Sequence, residues 1–185
     1  GVLGVDVETK SAADLKRVGQ WAYAEDESTD VYCVVFGYAE RPGRYSYTEW
    51  EPGDELPPGL VAYIRAGGKV VAHNASFEVS IWDSILVPRY GFPKLDRDQG
   101  DDTQVRARAM NLPMSLAGCA KVLGCPIQKD EEGHALMLKM CKLVAVGEGV
   151  WDTPHATRQN RARLVDYCRD DVGAMLDVFF KLRPL

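Results

Sequence analysis

The sequence predicts an α/β fold: a mixed sheet flanked by helices, with a helical C-terminal half. Three observations carry that expectation. A short β-branched run opens the chain, two further strand-like runs are joined by a turn, and apolar residues then recur every three or four positions through most of the remainder. The 185 residues suit one domain, 1–185, with enough chain to bury a core.

Residues 2–7 (VLGVDV) are apolar and β-branched, as a buried strand requires. Val31–Tyr38 is rich in Val, Tyr and Phe, and the turn ERPGR leads into the alternating aromatics of Tyr45–Trp50, so the two runs read as a hairpin. The loop EPGDELPPG places Pro58 to start a helix over Leu60, Val61, Tyr63 and Ile64, which Gly67-Gly68 ends. Lys69–Ala72 is a short strand, and helical spacing resumes from Ala75 to about Leu86. Tyr90–Asp101 is polar and expected to be irregular. Beyond it come a helix over Asp102–Ala109, one capped by Ser115 and stopped by Gly124, one over roughly Glu132–Leu143, and a long final helix carrying Leu164, Cys168, Val172, Met175 and Phe179.

Composition narrows the function. Hydrophobic residues make up 46% and charged residues 26%, as in ordinary globular proteins. There is no apolar run of about 18 residues, and no signal or transit grammar opens the chain, so a cytoplasmic, membrane-free setting is expected. Five cysteines form no C-x-x-C pair, and three histidines lack zinc-ligand spacing, which points to free thiols rather than a structural zinc site. A net charge of −5 argues against a free-standing, high-affinity duplex binder. It leaves room for a nucleic-acid enzyme whose acidic residues gather divalent cations.

Three acidic motifs follow. In Asp6-Val7-Glu8, strand alternation sends both carboxylates to one face, where they repel unless a cation lies between them; oxygen-rich clusters suit Mg²⁺ or Mn²⁺. Alone, the pair reads equally well as a strand end in solvent followed by a helix-capping Thr9. In His73-Asn74-Ala75-Ser76-Phe77-Glu78, the residues Ile81, Trp82 and Ile85 lie three, four and seven positions past Glu78, placing it on the helix's buried face. The bland alternative is a first-turn Glu held by the helix dipole. In Tyr167-Cys168-Arg169-Asp170-Asp171, Tyr167 and Asp171 stack on one helical face, with Asp171 inward and Asp170 outward. An amphipathic surface helix with a core tyrosine would look the same.

Taken together, Asp6-x-Glu8, Asn74-x-x-Phe77-Glu78 and Tyr167-x-x-x-Asp171 resemble the tyrosine-bearing branch of the DEDD superfamily of 3′→5′ exonucleases. The chain is most similar to the proofreading domain of phage-type family A DNA polymerases, through VDVETKSAADLKRVGQWAYAEDEST, VAHNASFEVSIW, LPMSLAGCAKVLG, QKDEEGHALMLKMCK and YCRDDV. One departure is Glu78, where the family usually has Asp; the longer side chain still reaches a metal. The resemblance implies an RNase H-like fold with a central mixed five-stranded sheet. It also implies two divalent cations, Mg²⁺ or Mn²⁺, held by Asp6, Glu8, Glu78 and Asp171. Asp6 would bridge both, Glu8 and Asp171 would complete the site that activates water, and Glu78 would reach the second ion through water. Tyr167 would orient the nucleophile rather than deprotonate it, because a phenol is a poor base at neutral pH.

The implied substrate is the 3′ end of single-stranded DNA, cut to nucleoside 5′-monophosphates, with a polymerase domain in cis or in trans as partner and a bacterial or host cytoplasm as location. The chain ends at Lys181-Leu182-Arg183-Pro184-Leu185, where such a polymerase continues, so an excised domain or a stand-alone relative is expected. Thr9, through its backbone amide, and Asn74 are the candidates for holding the terminal nucleotide; Asn74 alternatively caps the following helix. Lys129, Lys139, Lys142, Arg158, Arg161 and Arg163 form either a track for the strand or, more commonly for such charges, a solvated face. Asp101-Asp102 is expected to cap the helix near Thr103 rather than bind metal. Three rivals stay open: a catalytically inactive RNase H-like nucleic-acid-binding module, an RNA-trimming exonuclease of the same superfamily, and an RNase H-type endonuclease.

Overall fold

A computed structural model describes residues 1–126, 130–148 and 150–182. Lys129, part of the QKDEEG phrase and residues 183–185 of the chain's ending lie outside the described residues. The order begins with β1 (Val2–Lys10), α1 (Leu15–Val18), α2 (Gln20–Glu25), β2 (Asp30–Arg41) and β3 (Arg44–Trp50). Next come α3 (Pro58–Arg65), β4 (Val70–Ala72), α4 (Ala75–Ile81), a π turn (Trp82–Leu86) and α5 (Val87–Tyr90). A 3₁₀ turn (Arg97–Gln99) leads to β5 (Gly100–Asp102), then α6 (Thr103–Ala109), α7 (Leu116–Val122) and α8 (Glu131–Met140). The chain closes with β6 (Val144–Gly147), β7 (Val150–Asp152) and the 25-residue α9 (Arg158–Leu182).

Five strands form one mixed sheet in the order β3-β2-β1-β4-β5. The first three pair antiparallel and β4 and β5 join in parallel, an arrangement compatible with an RNase H-like fold. β1 is central and buried on both faces. Its odd residues Leu3, Val5 and Val7 pack with Ile64, Ile81, Trp82 and Ile85 on one side. Val2 packs with Val172, Met175 and Leu176 of α9 on the other.

Several expectations need correction. β1 runs past Val7 to Lys10, so Glu8 and Thr9 lie within the strand, each more than nine-tenths buried; neither a solvated strand end nor a capping Thr9 is present. The polar stretch before Asp102 contains β5, an edge strand formed by pairing with β4 rather than by its own propensity. The helix expected to reach Leu143 stops at Met140, and the chain turns into the β6–β7 hairpin. The helical run begun by α4 loosens into a π turn just before Pro88, whose ring crowds the preceding turn and whose nitrogen offers no donor.

One packing detail positions everything that follows. Gly4 of β1 and Gly37 of β2 are cross-strand partners. A Cβ on Gly4 would lie 2.8 Å from Met175, and one on Gly37 would lie 2.6 Å from Val172 and 2.9 Å from Leu176. The two glycines form a flat seat that draws α9 onto the sheet. Gly37→Ala should therefore overpack this seam and lower stability by about 1–3 kcal/mol in urea unfolding; a neutral result would mean that α9 does not rest there.

Candidate metal and catalytic site

On β1 the residues after Gly4 on the same face are Asp6 and Glu8, so the helix seated on the glycines passes over both carboxylates. Cys168 of α9 donates its thiol proton to Asp6 Oδ2 at 3.1 Å. Around Cys168 on the helix stand Tyr167 and Asp171, with Asp171 half-buried and Asp170 exposed, in the inward and outward orientations the spacing predicts. From the opposite layer, α4 brings in Glu78, buried together with Ile81, Trp82 and Ile85. The strand and two helices thus bring the three motifs to one place.

The electrostatics are those of crowded anions. Burial first, and then the charges of Asp6 and Asp171, push the Glu8 carboxyl well above the ordinary range. Burial and then Asp6 do the same to Glu78. Asp171 is pushed up to about 7 by burial and then Asp6, with the nearby Tyr167 hydroxyl pulling the other way. Asp6 is raised by burial, offset in part by its hydrogen bonds from Cys168 and the Val7 backbone. The Tyr167 phenol is raised by burial and then by Asp171, which keeps it protonated at neutral pH.

Asp6, Glu8 and Cys168 form a cluster that could hold a metal ion, each offering a donor atom within 4.8 Å of the others. Glu78 and Asp171 fall outside that tight set. Glu78 Oε2 is buried with no hydrogen-bond partner, a costly state for a carboxylate unless a cation or bridging water answers it. Four carboxylates that repel one another, one of them with an unanswered oxygen, fit a hard divalent cation better than they fit a bare core.

Of the two strand-holding candidates, Thr9 is buried in β1 with its hydroxyl hydrogen-bonded to Tyr23 Oη at 2.9 Å, a contact that involves its side chain and not the backbone amide. Asn74 is exposed in the left-handed region (φ 72°) at the start of α4, without a side-chain capping bond. Asp102 caps that helix instead: its carboxylate accepts from the Asn74 and Ala75 amides at 3.1 and 3.0 Å, and from Gln104 N of α6 at 2.8 Å. Asp101 pairs with Arg106. Asp102 is thus also the N-cap of α6, the helix start expected for this pair, while Asp101 is held by Arg106 rather than capping.

Of the basic residues, Arg163 is engaged by Asp130, and Arg161 lies over the Tyr32 ring at 5.5 Å. Lys139, Lys142, Arg158 and Arg161 are exposed, as on a solvated face. Two neighbours of the site carried no sequence signal. His134 Nδ1 lies 3.4 Å from Tyr167 Oη. Gly133 lets α8 press close, since a Cβ there would meet Tyr167 at 2.7 Å.

No protein-family model matches the chain. A curated relative does: the DNA polymerase of Bacillus phage SP02 is 31% identical over 196 aligned residues, covering 99% of this chain. The chain is similar to part of a phage DNA polymerase. It spans 28% of that relative's length, and among its described residues no helix is long and apolar enough to cross a membrane.

Proposed function

We propose that the chain is a metal-dependent 3′→5′ exonuclease domain of RNase H-like fold, in the tyrosine-bearing DEDD branch. It removes nucleotides from the 3′ end of single-stranded DNA as 5′-monophosphates in the service of polymerase proofreading. The observation that carries this reading is the meeting of Asp6, Glu8, Glu78 and Asp171 beside a protonated Tyr167. Similarity to a DNA polymerase supports DNA as substrate and a polymerase domain as partner.

In this proposal Asp6, Glu8, Asp171 and Glu78 would hold two Mg²⁺ or Mn²⁺ ions. When bound, such ions lower the barrier by stabilising the attacking and leaving oxygens of the phosphodiester. The chain's own residues do the rest. Tyr167 stays protonated, so its hydroxyl orients the attacking water rather than deprotonating it. Asn74, exposed at the start of α4, offers its side-chain amide nitrogen to the terminal nucleotide, while its Oδ1 accepts from Ser76 Oγ at 3.3 Å. The reacting phosphate must enter between a strand and two helices, which a paired terminus cannot do without fraying. A mismatched end frays at lower cost, and this selects errors.

Mn²⁺- or Mg²⁺-dependent release of mononucleotides from 3′-labelled single-stranded DNA tests the proposal. Circular DNA should stay intact, and RNA should be cut more slowly. Cutting of circles would favour an endonuclease, preference for RNA a trimming enzyme, and binding without cutting an inactive module. Tyr167→Phe removes one charge-assisted hydrogen bond of about 1.5–3 kcal/mol, so kcat should fall roughly 10–100-fold with KM little changed. An unchanged kcat would remove Tyr167 from the mechanism.

A further inference from the structure

Cys168 has no part in that mechanism, yet it touches the centre of the site. We infer that Asp6, Glu8 and Cys168 form a binding site for a thiophilic divalent cation of the zinc and cadmium class, overlapping the carboxylates proposed to hold the hard ions. The geometry is that of one ion's ligand shell. The Cys168 sulfur is 3.1 Å from Asp6 Oδ2, and the three donors lie within 4.8 Å of one another, as ligands must with bonds of about 2.0–2.3 Å. A second thiol is at hand, since Cys33 is the cross-strand partner of Glu8 and is buried in the same cluster as Cys168. The independent pointer to a cation is Glu78, more than nine-tenths buried beside the Asp6 charge with Oε2 unpartnered.

Hard ions gain little from sulfur, whereas a thiolate selects Zn²⁺ or Cd²⁺ over Mg²⁺. As the metal–sulfur bond forms, the Cys168 S–H bond breaks and its proton passes to solvent. An ion seated there occupies Asp6 and Glu8 and so excludes the hard ions. This inhibitory consequence rests on the proposed exonuclease reading, while the binding itself does not.

Cd²⁺ alone, titrated into the full chain in metal-free buffer, supplies the test, read by the ultraviolet thiolate-to-cadmium charge-transfer band and by cadmium NMR on the wild type. The expected result is a single ion with sulfur in its shell. Cys168→Ser should lose the band and weaken binding on the order of 10–100-fold or more, while Cys125→Ser, altering a thiol in another cluster, should change neither. A wild-type NMR signal without sulfur coordination, or a band undiminished in Cys168→Ser, would overturn the site. Zn²⁺ should also inhibit Mg²⁺-supported cleavage, with excess Mg²⁺ or Cys168→Ser relieving the inhibition. A chain that binds Cd²⁺ through Cys168 but never cuts DNA would refute the exonuclease reading and leave this site standing. A chain that cuts but seats no Cd²⁺ on sulfur would do the reverse.

Discussion

Asp6→Asn is expected to lower exonuclease turnover by at least about 10³-fold while leaving the metal-free protein as stable as before, or more so. The loss follows from Asp6's place in the cluster: it is the carboxylate whose charge reaches Glu8, Glu78 and Asp171 alike. Removing it takes away the common ligand of the proposed ions, whose stabilisation of the transition state is worth several kcal/mol, or about tenfold in rate for each 1.36. The stability follows from the same geometry with the opposite sign. Asn is the same size and still offers an oxygen to the Cys168 thiol, so packing under α9 is kept. The repulsion that burdens the other three carboxylates is relieved. Turnover on 3′-labelled single strands, with thermal unfolding in EDTA alongside, checks both halves. Activity within tenfold of wild type would sink the assignment, and inactivity caused by unfolding would fail to support it.

The parts of the fold and site legible in the sequence are those set by a period. Alternation put Asp6 and Glu8 on one face of a strand. Spacings of three, four and seven put Glu78 with Ile81, Trp82 and Ile85, and a spacing of four stacked Tyr167 and Asp171. Hidden from the sequence were effects that arise only when elements meet. Cys168 sits in the apolar stripe of α9 and reads as a core residue until the helix is laid over Asp6. Gly4 and Gly37 gain meaning as a pair only through the strand register. β5 is three residues, Gly100–Asp102, with no propensity of its own, and the Asp102 carboxylate serves two helix starts that are far apart in sequence. Thr9 could be read as a helix cap because nothing local shows that β1 runs on to Lys10 or that Tyr23 will pair with its hydroxyl.

The metal-free protein should lose stability as pH rises from about 4 to about 7, the reverse of what paired surface carboxylates do, and divalent cations should offset much of that loss. Asp171 sets the window, because its folded value of about 7 stands above the 3.8 of an ordinary aspartate. Between those limits the folded chain binds more protons than the unfolded chain, so unfolding free energy falls with pH. At 1.36 kcal/mol per pH unit the ceiling from this one group is about 4 kcal/mol, reduced by its partial exposure to solvent. Glu8 and Glu78, raised in the same direction, add to it. His73, lowered by burial, opposes the trend below the ordinary histidine value, but as a single group. A cation bound only by the folded state, present at a hundred times its dissociation constant, adds about 2.7 kcal/mol and holds the carboxylates ionised. Urea unfolding in EDTA at pH 5 and pH 8, repeated with Mg²⁺, measures each term. Equal stability at the two pH values in EDTA, or no response to Mg²⁺ at pH 8, would mean that the acidic side chains do not crowd one another as their positions require, and the case for cations between them would fall with it.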